Sequence, residues 1–425
     1  MASRGPLGNW ASQRRFQRRD TLRAVWLDRK DAVPAAILFA LAFALHATTA
    51  GLASRAADVP LPALSVYFDG NLYLEIAKSF PLPYAPEGRG YFGQAPGYPA
   101  LVYLARLSTP SHWLDWGMLA LLASWIPAAL AAVVFYALCR ELGLRPFWPS
   151  VAFVVGNPRW WAIAPSAHPE SLAVLLVLMC LLAYLRDHLG LAMLWLALAG
   201  LARFPALLLG LPLAVDVLLI RRRLDLRTVL LLGVPVLAFG LLHLYLAWRI
   251  PGFSGVAMSH QVHWQTEITW PFSELLGNAW RWAHSDNRLY FEITYATLAF
   301  YVLSIVIGLR SPVRSVRILA HGVAAIVLFH ASLSGAPAAW DFTRLCVLAW
   351  PLSLLVLWHR WGGRLPDTAA ALLCVGLAAF GLRTGLRAIP DAVAMQNQLQ
   401  PHLMDTIRRL QSDEPQWFDF GGGPR

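Results

Sequence analysis

Charge is what this 425-residue sequence has least of: only 14% of its residues are Asp, Glu, Lys or Arg, where a soluble domain carries about a quarter. Lysine is nearly missing, confined to Lys30 and Lys78. Cysteine is scarce as well. Cys139, Cys180, Cys346 and Cys374 form no Cys-x-x-Cys pair and fall in or beside apolar runs, which argues against a metal or disulfide framework and for buried packing residues. The Arg-rich stretch 1–30 lacks the short apolar core and small-residue cleavage site of a signal peptide. No internal repeat is present, which weighs against a transporter built from duplicated halves.

Apolar residues are plentiful. The chain is 57% hydrophobic with 19 Trp and has a mean hydropathy of +0.51, which excludes a soluble enzyme and a disordered chain. The net charge of +11 does not mark a nucleic-acid partner, because the basic residues are mostly Arg scattered between apolar runs. That scatter is topology information rather than a basic groove. The expected fold is an all-α polytopic membrane protein, with membrane lipids around it.

Apolar runs of about 17 to 23 residues predict nine full crossings, near 32–53, 116–138, 147–165, 169–185, 228–248, 291–309, 318–333, 345–358 and 368–386. The run 191–220 is split by Arg203-Phe204-Pro205. Proline removes a donor and disfavours helix at the residue before it, so this run predicts a hairpin of two short helices with Arg203 at its outer tip. That makes about eleven membrane segments. A single crossing there would put Arg221-Arg222-Arg223 outside, against the positive-inside rule. The resulting layout is a cytoplasmic basic segment 1–31, a transmembrane domain 32–386 and an outer tail 387–425 that begins as a short amphipathic helix. The Arg-rich, nearly Lys-free composition is that of a GC-rich bacterial genome, which places the protein in the inner (plasma) membrane with its outer loops in the periplasm.

Two outer loops are long, 54–115 and 249–290, and loops of that length are usually functional or disordered. Both contain amphipathic stretches with aromatics, expected to lie along the membrane surface. Acidic residues concentrate on the outer side, so an outward-facing polar site is the natural place for chemistry. Asp69 immediately precedes an amphipathic run, where its carboxylate either caps a helix N-terminus or serves as a general base. Glu75, six residues on, need not share its face and reads as a solvated charge. Gln94-Ala95-Pro96-Gly97-Tyr98-Pro99 rigidifies a turn back toward the membrane.

Further polar groups gather at the same face: Arg159 after Asn157-Pro158, His168-Pro169-Glu170-Ser171 at the start of a crossing, Arg203 at the hairpin tip, and Asp341 with Arg344. One carboxylate among several Arg suits a phosphate leaving group. Taken singly, each Arg is better explained as a snorkelling or helix-pairing charge. His260 and His263 lack a third ligand, so no metal site is expected. Trp264, Trp270, Trp280 and Trp282 suit an interfacial belt or a stacking surface for a sugar or lipid.

The run Asp69-Gly70-Asn71-Leu72-Tyr73-Leu74-Glu75-Ile76-Ala77 resembles the first-loop motif of GT-C glycosyltransferases, in particular the PIG-V-like branch related to GPI mannosyltransferase II and its bacterial relatives. Ala95-Pro96-Gly97-Tyr98-Pro99 is similar to their Pro-x-Tyr-Pro segment, with Ala95 where Phe is usual. Pro169-Glu170-Ser171-Leu172 resembles their Ser-Glu-Ser-Leu element. Gly200-Leu201-Ala202-Arg203-Phe204-Pro205 resembles their Gly-Leu-Ala-x-x-x-Arg-Pro hairpin, with the Arg earlier and Phe204 between Arg and Pro. The likeness runs in order from about residue 35 to 220 and only loosely beyond, through Arg344 and Pro351.

The resemblance implies a GT-C-like fold and an inverting transfer of a sugar, mannose-like, from a polyprenyl-phosphate donor to an acceptor hydroxyl of a glycan, lipid or protein. Such transfer is metal-independent or only weakly metal-dependent, and no cofactor is expected. Asp69 takes the position of the base. Arg203, then Arg344, are first choices for the lipid phosphate, since a guanidinium binds phosphate oxygens in bidentate fashion. Glu170 would orient the acceptor or hold an Arg, while Tyr98 and Tyr73 shape the pocket. Two other classes remain: a flippase for lipid-linked sugars, using the same arginines without a base, and a non-catalytic membrane partner with the same fold.

Overall fold

Pro158 and Pro205 stand where apolar runs of this chain break, whereas Pro127 and Pro235 lie inside long continuous helices. The computed structural model describes residues 29–81, 94–110, 113–249, 267–284, 288–334 and 342–399, together with 253, 255, 407, 408 and 410–412. Among these residues there is no strand, only an isolated antiparallel bridge between Ile268 and Leu333.

In chain order the helices are α1 (Arg29–Ala56), α2 (Gly70–Ser79), α3 (Gly97–Ser108), α4 (Trp116–Glu141), α5 (Phe147–Val155), α6 (Trp160–Ile163), α7 (Glu170–Leu185) and α8 (Leu189–Ala202). There follow α9 (Gly210–Val215), α10 (Leu226–Arg249), α11 (Ser273–Ala283), α12 (Arg288–Leu309), α13 (Arg314–Ala331), α14 (Phe342–Leu345), α15 (Ala349–Trp361) and α16 (Asp367–Leu399). Seven helical stretches are long and apolar enough to cross a membrane: 30–56, 116–141, 226–249, 292–309, 314–331, 342–364 and 367–398. They coincide with seven of the nine expected crossings and read as a multi-pass membrane protein.

The other two crossings differ. The run 147–165 is not one helix: α5 has 9 residues, about 14 Å at 1.5 Å per residue, against a hydrocarbon core of about 30 Å. Pro158, which cannot donate to a continuing helix, follows at once. Asn157 Oδ1 caps the next turn by accepting from Arg159 N at 2.9 Å. The segment is almost wholly buried, so protein rather than lipid surrounds its irregular backbone. The expected crossing at 169–185 is α7, whose 16 residues are buried nearly all round. Its apolar circumference reflects a central position between α4 and α8 rather than a lipid-facing one.

The hairpin at 191–220 is present. Arg203 is extended (φ −157, ψ 113) between α8 and the run Phe204–Ile220, which passes through 3-10, α and π geometry. Leu207 packs on Gly200 and Leu196 on Gly210, a pairing symmetrical about Arg203 that holds the two arms antiparallel.

The sequence also misplaces two boundaries. The first part of the tail expected from 387, as far as Leu399, is the continuation of α16, whose 33 residues rise about 50 Å. The helix α2 does not lie on a surface: every residue from Gly70 to Lys78 is buried. By contrast, α3 buries Tyr98, Pro99 and Val102 and exposes Leu104 and Leu107, as an amphipathic helix should. All four cysteines are free and buried.

Ion pairs fix the end of the bundle remote from Asp69. Asp31 is paired with Arg140 and accepts from Tyr136 Oη at 3.2 Å. Glu141 pairs with Arg186 at 3.0 Å. Asp216 on the π turn is gripped by Arg221, Arg314 and Tyr184.

Candidate functional site

The loop after α1 folds back into the protein through a 3-10 turn (Leu61–Ser65) and then enters α2. Gly70 makes this entry possible: a Cβ there would lie 2.0 Å from Ser65 O. The entry also forces Phe68 to φ +59, a left-handed conformation that a side-chain-bearing residue adopts only at a cost. Gln396 of α16 holds it there. Its Oε1 accepts from Phe68 N at 2.6 Å and its Nε2 donates to Phe68 O at 3.2 Å. Asn397 Oδ1 accepts from Tyr67 Oη at 3.0 Å. Burial raises the Tyr67 phenol above its usual range, so it stays a donor. The far end of the last long helix thus shapes the turn that presents Asp69.

Asp69 occupies the N-cap position of α2, but its side chain makes no capping hydrogen bond. The capping interpretation is therefore set aside. Its Oδ2 instead accepts from Arg344 Nη2 at 2.7 Å, and its side chain keeps 22% exposure. Arg344 stands on the one-turn helix α14, and its Nε donates to Glu170 Oε1 at 2.7 Å. Arg203 Nη1, from the hairpin tip, donates to the same Glu170 oxygen at 2.8 Å. Glu170, at the start of α7, is completely buried. Four side chains from four separate segments therefore form one chain of contacts, Asp69–Arg344–Glu170–Arg203. It is charge-balanced, as a buried array must be to offset its desolvation.

His168 closes the base of this array. Its backbone N donates to Ser124 Oγ and its carbonyl accepts from the same hydroxyl, both at 2.9 Å. Its ring meets Phe68 edge-on at 5.4 Å between centroids. Burial, reinforced by the nearby Arg344 charge, lowers the imidazole to about 3, so it is neutral at physiological pH. Arg159 acts on His168 through its charge.

Tyr98 Oη donates to Ala120 O at 2.7 Å and pins α3 to α4. Tyr73 lies edge-on to it at 5.6 Å and donates to Gln94 Oε1 at 2.8 Å. Burial keeps both phenols above their ordinary range, helped at Tyr73 by the Glu170 and Asp69 charges. Both are positioning groups. Gly97 lets this unit dock, since a Cβ there would lie 2.7 Å from Leu201 O of α8.

Glu75 is a correction. It is 2% exposed rather than solvated, with Lys78 Nζ 3.9 Å from its Oε1. Asp341, His260, His263 and Trp264 lie outside the described residues, as do the side chains of Trp280 and Trp282. Trp270 is 85% exposed. Among the described residues no three His, Cys, Asp or Glu side chains converge as a metal would require. Residues that the sequence did not single out, Gln396, Asn397 and Ser124, hold the array in place. No motif signals them, because each acts through one or two long-range hydrogen bonds.

A cavity of about 510 Å³ runs between α5, α12, α15 and α16. Its walls include Phe300, Trp350, Trp358 and Phe380, with Asn157 and Glu292 at one end. Asn157 is 2% exposed and its Nδ2 has no hydrogen-bond partner. A polar cavity of about 840 Å³ lies at the opposite end of the bundle, beside Asp187, Arg223 and Arg227. Asp69 lines neither cavity.

Compared with protein-family models and with curated proteins, the chain matches none.

Proposed function

We propose that this protein is an integral-membrane glycosyltransferase that moves a sugar, mannose-like, from a polyprenyl-phosphate donor to an acceptor hydroxyl. The reading rests on one observation: a part-exposed carboxylate, Asp69, held by an arginine that shares a buried carboxylate with a second arginine. In the reaction, Asp69 takes the proton of the acceptor hydroxyl while that oxygen forms a bond to the anomeric carbon. The bond from that carbon to the phosphate oxygen breaks on the opposite face, its electron pair stays with the phosphate, and the configuration inverts. Arg344 and Arg203 offset the charge growing on the leaving group, and Glu170 keeps both pointed at it. No cofactor or metal enters the scheme.

In this reading the array sits at the periplasmic end of an inner-membrane protein of about eleven segments, with the N-terminus cytoplasmic. The apolar cavity along α15 supports a lipid-linked donor, since a hydrocarbon chain can lie in it within the membrane. A second reading is a non-catalytic membrane partner with the same fold.

The test is transfer of radiolabelled sugar from polyprenyl-phosphate-mannose by membranes carrying the wild type or Asp69→Asn, across a panel of acceptors. Transfer that vanishes in the variant at equal protein level supports the transferase reading and the base together. Equal transfer in both removes Asp69 from the chemistry. No transfer across a full donor and acceptor panel favours the non-catalytic partner.

A further inference from the structure

The four charges of the array are not equally committed. Glu170 is fully buried and anchors Arg344 through Nε and Arg203 through Nη1. Asp69 is held from one side only, by Arg344 Nη2, and remains 22% exposed. It is the one member of the array that can be replaced from solvent without uncovering a buried charge. Below it, Arg203 Nε is buried with no hydrogen-bond partner, so the array retains an unused donor.

We infer that Asp69 is an internal competitor for the donor's phosphate. Its carboxylate occupies the guanidinium edge of Arg344 that the polyprenyl phosphate needs, and Arg344 passes from Asp69 to the phosphate as the donor binds. This rests on the transferase reading and adds to it a coupling between donor and base. The charges balance along the step. When Asp69 accepts the acceptor's proton it loses its negative charge, and the phosphate, already a singly charged diester in the donor, gains a second charge as its bond to the anomeric carbon breaks. The total charge on the two groups is unchanged across the step, and it gathers on the phosphate that Arg344 faces. Before the donor arrives, Asp69 Oδ2 is engaged by Arg344. The donor's phosphate both supplies the substrate and frees the base.

The consequence runs against ordinary expectation: removing the negative charge of the base should tighten binding of the leaving group. Binding of a short-chain prenyl monophosphate, and in parallel of inorganic phosphate, is measured by native mass spectrometry on the purified full-length protein. The wild type is compared with Asp69→Asn and Arg344→Gln, with Asp69→Ser as a second neutral variant should Asn disturb the entry to α2. Asp69→Asn should bind prenyl phosphate roughly tenfold more tightly than the wild type, the scale of one charge-assisted hydrogen bond, and Arg344→Gln should bind it more weakly than both. A parallel gain for inorganic phosphate assigns the effect to the phosphate group. Equal or weaker binding by both neutral variants, in a protein whose wild type binds, overturns the competition and leaves the transferase reading standing. No binding of prenyl phosphate by any form overturns the donor assignment and the competition with it.

Discussion

Arg344 Nη2 lies 2.7 Å from Asp69 Oδ2 across 275 positions of sequence, and Arg344 Nε lies 2.7 Å from Glu170. One planar guanidinium thus joins a reachable carboxylate to a buried one. That relationship organises the site, and most of its testable consequences follow from its geometry.

Lysine cannot replace Arg344. An ammonium is a point donor, whereas the guanidinium presents two edges in fixed directions. Arg344→Lys should keep at most one of the two contacts. Sugar transfer should fall by at least about a hundredfold, the scale of losing one charge-stabilising donor, with stability reduced by about 1–3 kcal/mol. Transfer assays alongside thermal unfolding in detergent check both numbers, and wild-type transfer by the lysine variant would refute the two-edge account.

Glu170 carries a larger structural load. Glu170→Gln leaves two arginines, each under a tenth exposed, with a neutral partner. Removing one member of a buried ion pair costs about 3–5 kcal/mol. The variant should lose stability on that scale in denaturant titrations, much more than Asp69→Asn, because Asp69 is the exposed end of the array.

The hold of α16 on the turn can be tested without touching a charge. Gln396→Ala removes both hydrogen bonds to Phe68 and frees a strained backbone to relax. The expected result is a drop of about tenfold in kcat with KM nearly unchanged, because misplacing a catalytic group costs rate rather than binding. A change confined to KM would show that Gln396 contacts substrate instead.

His168 gives a pH signature. Its folded value is lowered to about 3 from the ordinary 6.5, so between these limits the unfolded chain takes up a proton that the folded chain refuses. The contribution of His168 to stability is fully present above about pH 6.5 and is lost as the pH falls toward 3, by about 1.4 kcal/mol per pH unit. Thermal stability of the wild type should therefore fall between pH 7 and pH 5 more steeply than that of His168→Gln, the two differing by about 2 kcal/mol at pH 5. Parallel curves would mean that the imidazole is protonated in the folded state.

Much of the fold was legible locally. Seven long apolar helices follow from run length and charge poverty, because a helix that must satisfy its own backbone needs only the right composition over about 20 residues. The hairpin followed from Pro205 and the triple arginine Arg221-Arg222-Arg223. The run 147–165 is two short helices rather than one, because a count of apolar residues does not register the backbone break at Pro158. Its burial places protein around that break.

For the site, the sequence by itself determined the inventory: Asp69 ahead of a helix, Glu170 at the head of another, and Arg203 beside a proline. Each is placed by local backbone chemistry. Only the tertiary structure decided which of them share a contact. It turned Asp69 from the α2 N-terminus to Arg344, made Glu170 the common anchor, buried Glu75 beside Lys78, and brought Gln396 from an expected tail to hold Phe68. The reason is physical. Capping, helix length and hydrophobic run are set by neighbours along the chain, whereas an ion pair between residues 275 apart is set by how whole helices pack, and no local pattern encodes that.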